Sequence, residues 1–210
     1  RISRMKIGTT DKWVAIFGAG ANGGAATTYG SAVYIIDIAD GGKVLKRIDV
    51  EDKNSNAVVN SVIASLVPVT ADTTSTATYQ GALVYFADFE SKLWKLNLTN
   101  KGTLYSLQKI FDGEATIANQ RRVFHDVSLS LDDNSKLWAF FGTGDRYNIA
   151  AENSLINNRL FAIKDTNYPN FKSGVSLIKS ANCKDVTTAG ASCPDASHDG
   201  WFVNLDKNEK

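Results

Sequence analysis

Ala82-Leu83-Val84-Tyr85-Phe86-Ala87 and, after Asp88-Phe89-Glu90-Ser91, Lys92-Leu93-Trp94-Lys95-Leu96-Asn97-Leu98 decide the fold class. Both runs are short and rich in β-branched and aromatic residues, and both are bounded by Asp, Ser and Asn, which is the signature of strands. The same reading extends outward to 13–17, 32–38, 44–50, 103–111, 123–131, 136–141 and 159–163. No segment keeps a 3.6-residue apolar period over three turns, so helices are not expected. Asn56 to Leu66 is the most ambiguous run; its β-branched content and Pro68 beyond it favour a strand. Asp40-Gly41-Gly42-Lys43 reads as a hairpin, and Asp132-Asp133-Asn134-Ser135 as an Asx-type turn.

Repetition is the stronger signal. Val33-Tyr34-Ile35-Ile36-Asp37-Ile38, Leu93-Trp94-Lys95-Leu96-Asn97-Leu98 and Leu160-Phe161-Ala162-Ile163-Lys164-Asp165 share one pattern. Each is preceded by a second apolar run, at 13–20, 83–88 and 138–144. Repeated sheet-forming units of this size point to an all-β fold of propeller blades, about four strands each. The units fall at residues 12–50, 62–111 and 123–166, and a loop insertion at 167–198 leads into a further strand. Closed propellers carry about 4–8 blades, so three blades imply part of a larger ring.

Composition narrows the function. The 210 residues include 43% apolar and 21% charged residues, ordinary for a globular protein. Lys and Arg number 23 against 22 Asp and Glu, so bulk charge gives no grip on nucleic acid. No apolar run approaches the ~18 residues of a transmembrane segment. Two Cys and two His are too few for a Cys/His zinc cluster. The chain begins at Arg1 without a signal-peptide pattern, and we read it as a piece of a longer polypeptide.

The stretches KWVAIFGAGAN (12–22), AVYIIDIADGGKVLKRIDV (32–50), SLVPVTADTTSTATYQGALVYFADFESKLWKLNL (65–98), KLWAFFGTGDRY (136–147), NRLFAIKDT (158–166) and DGWFVNL (199–205) together resemble the C-terminal β-propeller of PilY/PilC-type proteins. These are tip-associated adhesins and biogenesis factors of bacterial type IV pili. The resemblance implies a modified, quinoprotein-like propeller, export to the cell surface or outer membrane, and work in pilus biogenesis and adhesion. It implies minor pilins, and a host-surface receptor, as partners.

The resemblance also implies a calcium loop before the strand at 82–88. The matching residues are Asp72, Thr74, Thr76 and Gln80. Calcium wants six to eight oxygens, and a loop can aim alternate side chains at it. One carboxylate among neutral oxygens would bind weakly, and the stretch reads equally as a solvated Thr/Ser-rich loop. The implied export favours a disulfide between Cys183 and Cys193, bracing the insertion.

Other candidates read as structure. Gly18-Ala19-Gly20 and Gly142-Thr143-Gly144 lack the following helix that a phosphate loop needs. His125 and Asp126 are strand neighbours facing opposite sides, His198-Asp199 lies in a turn-rich segment, and no Ser or Cys sits on a nucleophile elbow. Asp132-Asp133 reads as a turn former, Arg121-Arg122 as a solvated face, and the tryptophans of the repeated strands as core. The expectation is a non-enzymatic protein acting through loops at 72–80, 147–157 and 167–197. Its rivals are a quinoprotein-like dehydrogenase, for which Asp37 to Leu45 loosely echoes a docking motif without its Trp, and an assembly scaffold without adhesion.

Overall fold

Alternating apolar residues on short strands can bury one face of a sheet, and runs apolar on both faces need a partner on each side. Both cases occur in the computed structural model, which describes residues 1–21, 30–50, 60–70, 79–116, 118–144 and 157–206. The described residues form three separate sheets and no α-helix. The first contains β1 (Ile2–Ile7), β2 (Thr10–Gly18), β3 (Ala32–Asp37) and β4 (Lys43–Asp49), an antiparallel meander in chain order. The second has β5 (Val67–Thr70), β6 (Gly81–Ala87), β7 (Lys92–Thr99) and β8 (Leu107–Asp112) in the same arrangement. The third has β9 (Ser128–Leu131), β10 (Leu137–Gly142), β11 (Arg159–Asp165) and β14 (Gly200–Asn204).

The sheets stack face to face with the second in the middle. Alternate residues of β6 divide between the two cores. Ala82, Val84 and Phe86 pack with Val14, Ile16, Val33 and Ile35 of the first sheet. Leu83, Tyr85 and Ala87 pack with Ala139, Phe141, Phe161 and Ile163 of the third. Every residue of β7 is therefore buried. Each large side chain so covered contributes about 1.5–3 kcal/mol, which makes the middle sheet the anchor of the molecule.

The sequence repeat has a structural counterpart. Strands β2, β6 and β10 are the second strands of their sheets, and β3, β7 and β11 the third. Their registers coincide: Val14 faces Asp37, Leu83 faces Asn97, and Trp138 faces Lys164. An aromatic pair follows at the equivalent positions: Phe17–Tyr34, Phe86–Trp94 and Phe141–Phe161. The hairpin at Asp40 to Lys43 forms as expected, with Gly41 and Gly42 at φ of 61° and 81°.

Elsewhere the sequence reading needs correction. Ile2–Ile7 and Val67–Thr70 are strands it did not anticipate. Residues 60–66 are irregular rather than extended, yet Val62 and Leu66 are fully buried. Val62 fills the space beside Gly18, where a Cβ would collide with it. The strands expected at 103–111 and 123–131 begin only at Leu107 and Ser128. Trp13, expected in the core, is 59% exposed, because it lies on the face of the first sheet turned away from the second.

Candidate functional site

The insertion after β11 is more than a loop. It contains β12 (Ile178–Lys179), a 3-10 turn at Ser180–Asn182, and β13 (Cys183–Asp185). β12 runs parallel to β8 at the edge of the second sheet, and β13 runs parallel to β14 at the edge of the third. One short segment thus clasps two sheets. Two and three paired residues are few, so the clasp depends on side-chain and turn contacts as well. Asn204 supplies some: its amide donates to Asp185 Oδ2 at 3.0 Å, and Arg159 Nε donates to Asn204 Oδ1 at 2.7 Å.

Beneath the insertion lies a cleft of about 320 Å³, lined by Lys164, Asp165, Asn167, Lys172, Ser176 and Asp199 among others. Asp165 at its floor is held by an inter-sheet network. Lys95 Nζ donates to Asp165 Oδ2 at 2.5 Å and to the Asn170 carbonyl at 2.8 Å. Tyr85 Oη donates to the same carboxylate oxygen at 2.7 Å. The Asn167 backbone N–H donates to Asp165 Oδ1 at 2.9 Å, an Asx turn that starts the insertion. Burial lowers the Lys95 ammonium from its ordinary value, opposed by Asp165, and pushes the Tyr85 phenol well up. With its partners satisfied, this ion pair fixes how the insertion sits on the stack.

A second cleft, of about 500 Å³, runs between β1 and the start of β6. Its lining includes Arg4, Lys6, Asp11, Trp13, Tyr79 and Gln80. Arg4 of β1 and Asp11 of the adjacent β2 pair at 2.6 Å on one wall. Gln80, the last residue of the expected calcium loop, holds its backbone against Asn100: its N–H donates to Asn100 Oδ1 at 2.7 Å, and its carbonyl accepts from the Asn100 N–H at 3.0 Å. Asp72, Thr74 and Thr76 lie outside the described residues, as does the expected partner loop at 147–157 except its last residue. Among the described residues no cluster of three or more His, Cys, Asp or Glu side chains could hold a metal ion.

Cys183 and Cys193 stand as free thiols instead of the expected bridge. Cys183 is buried on β13 against Gly200, and burial pushes its thiol up to about 12. Cys193 lies exposed in the loop returning to β14. A buried thiol held that high is a poor nucleophile.

Asp195, Ser197 and His198 adjoin one another without forming a triad. Ser197 Oγ and Asp195 Oδ1 both approach the same ring nitrogen, His198 Nδ1, at 3.5 and 2.9 Å. A base must take the proton on one nitrogen while its orienting group holds the other. The group is an exposed Asx turn, and its hydrogen bonds from Ser197 pull the Asp195 carboxyl down to about 2.

Arg121 departs from expectation. It is buried, donating Nε to the Asn157 carbonyl at 3.0 Å and Nη1 to the Gly113 carbonyl at 3.4 Å. Burial lowers its guanidinium to about 10. It ties the end of β8 to the approach to β11, and only the doubled Arg in the sequence hinted at it. Among the described residues no helix is long and apolar enough to cross a membrane. Comparison with protein-family models, with curated proteins and with solved structures finds no match to this chain.

Proposed function

We propose that the chain forms three blades of a larger β-propeller in an exported, non-enzymatic protein of the PilY/PilC kind, which acts at the type IV pilus tip in biogenesis and adhesion. The observation that carries the reading is architectural. Three four-stranded antiparallel meanders follow one another in chain order, stack face to face, and keep a common register in their two central strands. That is how blades are built. The insertion on the outer edges, with its polar cleft, supplies a contact surface on a rigid scaffold, and such surfaces need no catalytic group.

The test is capture of purified minor pilins by the folded chain, run beside a host-cell binding assay. Capture that is lost on replacing the insertion with a short linker supports the reading. Binding to neither sinks the function and leaves the fold untouched. The calcium expectation is tested by calorimetry, with Asp72→Ala as control. Saturable heat lost in the variant supports a weak site, and no heat at millimolar calcium removes calcium from the reading.

A further inference from the structure

The middle sheet buries a lysine, an acid and a carboxamide together. Lys92 opens β7, and Glu90 lies in the hairpin before it. Asn60 comes from the irregular stretch packed on that hairpin, where the Phe89 N–H donates to the Ser61 carbonyl at 2.8 Å. None of the three is more than 5% exposed. Lys92 Nζ donates to Glu90 Oε2 and, at 3.4 Å, to Asn60 Oδ1. Asp88 fixes the hairpin that carries the first two: its Oδ1 accepts the backbone N–H groups of Glu90 and Lys92 at 2.9 and 3.0 Å. The related hairpin of the third sheet lacks the arrangement. There Asn134 stands where Glu90 does, and Lys136 is exposed. Burial disfavours a charged ammonium, and an acid beside it can take its proton, the conditions under which lysine becomes a nucleophile. The carboxamide is the electrophile already beside it.

We propose that Lys92 and Asn60 join in an isopeptide bond that the folded chain forms by itself. Glu90 Oε2 accepts a proton from the Lys92 ammonium and leaves a neutral amine. The Nζ lone pair attacks Asn60 Cγ, and the negative charge passes to Oδ1. As the tetrahedral centre collapses, the Cγ–Nδ2 bond breaks. Nδ2 leaves as ammonia with a proton from Glu90, which takes one from Nζ in exchange. The ammonia then carries that last proton away, and Glu90 returns to a carboxylate. One C–N bond forms, one breaks, nothing is oxidised or reduced, and one ammonium ion is released. Folding supplies the proximity, and the buried setting keeps water from competing for the carboxamide. The bond fastens the plug at 60–66, whose Val62 and Leu66 pack in the core between the first and second sheets, to β7 of the second. It does not depend on the blade reading or on the pilus reading.

The experiment is mass spectrometry of the purified protein, intact and after trypsin digestion. The wild type is expected to weigh less than its sequence by about 17 Da, the mass of one ammonia. Its digest should contain one branched peptide that joins Asn60 to Lys92, in place of two separate peptides. Glu90→Gln keeps the size of the side chain and removes the proton acceptor. With its fold checked by circular dichroism, it should keep the full mass of its sequence, and so should Lys92→Arg. A wild type of full mass, with Asn60 and Lys92 recovered in separate peptides, would overturn the inference. So would an ammonia loss with no branched peptide, the mark of a succinimide at some asparagine. A branched peptide as abundant in Glu90→Gln as in the wild type would overturn the role of Glu90. The wild-type digest alone decides whether the bond exists, even where a variant does not fold.

Discussion

Asp88 to Trp94 and Asp132 to Trp138 are two copies of one hairpin placed in different surroundings. Both read Asp-x-x-Ser-Lys-Leu-Trp. In each, the Asp Oδ1 accepts the backbone N–H two and four residues on, and Oδ2 accepts the tryptophan Nε1–H, at 2.8 Å from Trp94 and 2.9 Å from Trp138. Ser91 and Ser135 share a φ of 58°. Even the next strand repeats, with Lys109 over Trp94 and Lys164 over Trp138. The environments differ completely. Asp88 is wholly buried, beside the paired Glu90 and Lys92, whereas Asp132 lies in an exposed turn. Burial raises the Asp88 carboxyl to about 6, while the bond from Trp138 holds Asp132 below its ordinary value. Local sequence therefore sets the hairpin, and position in the stack sets its electrostatics.

The largest break in this comparison should come from removing the two carboxylates. Asp88→Ala leaves a buried indole N–H and two backbone N–H groups without their acceptor, a loss of about 3–5 kcal/mol. Asp132→Ala frees the equivalent donors where water reaches them, so its loss should be much the smaller. Urea unfolding of both variants measures the contrast. Equal losses would mean that burial adds nothing to the hairpin.

A smaller effect should come from the tryptophans. Trp94→Phe keeps most of the apolar volume and leaves the buried Asp88 Oδ2 without its indole donor, costing about 1–3 kcal/mol. Trp138 is only partly buried, and Trp138→Phe should cost less. Thermal unfolding of the pair sharpens the comparison, since it isolates one hydrogen bond in two settings. A larger shift in the Trp138 variant would show that burial does not set the strength of this bond, since a lysine lies over both rings.

These hairpins also show how much was legible in the sequence. Asx turns are local, so the turn at Asp132 to Ser135 could be read from its letters, and so could the hairpin at Asp40 to Lys43. The second and third strands of each sheet were legible because they are apolar and repeat in register. The first strands of the first two sheets were not. Ile2–Ile7 alternates with Arg4 and Lys6, and Val67–Thr70 carries Pro68, which suits a sheet edge and reads as a strand breaker. Asn60 to Leu66 misled in the other direction: its apolar residues are buried as a plug between elements, and tertiary packing overrode β propensity. The clasp at 178–185 was hidden because pairings of two and three residues leave no periodicity to read. Of the candidate site, the sequence showed the polar insertion but not Lys95, whose partner Asp165 lies 70 residues away.

The smallest expected effect is one of sign. Asp88 titrates near 6 in the folded chain and near 3.9 when unfolded. Between those values the native state holds a proton that the unfolded chain releases, so this group's contribution to stability rises as the pH falls from above 6 toward 4. Asp132 behaves oppositely. Its folded value lies below the unfolded one, so its contribution is present above the unfolded value and is lost as pH falls through the folded value. Melting curves from about pH 3 to about pH 7.5 for the wild type, Asp88→Asn and Asp132→Asn would resolve the two. The wild type should gain on Asp88→Asn as the solution is acidified toward pH 5, and should lose its margin over Asp132→Asn below about pH 4. Two difference curves of the same sign would mean that the hairpin's own hydrogen bonds, identical in both copies, outweigh the burial that separates them.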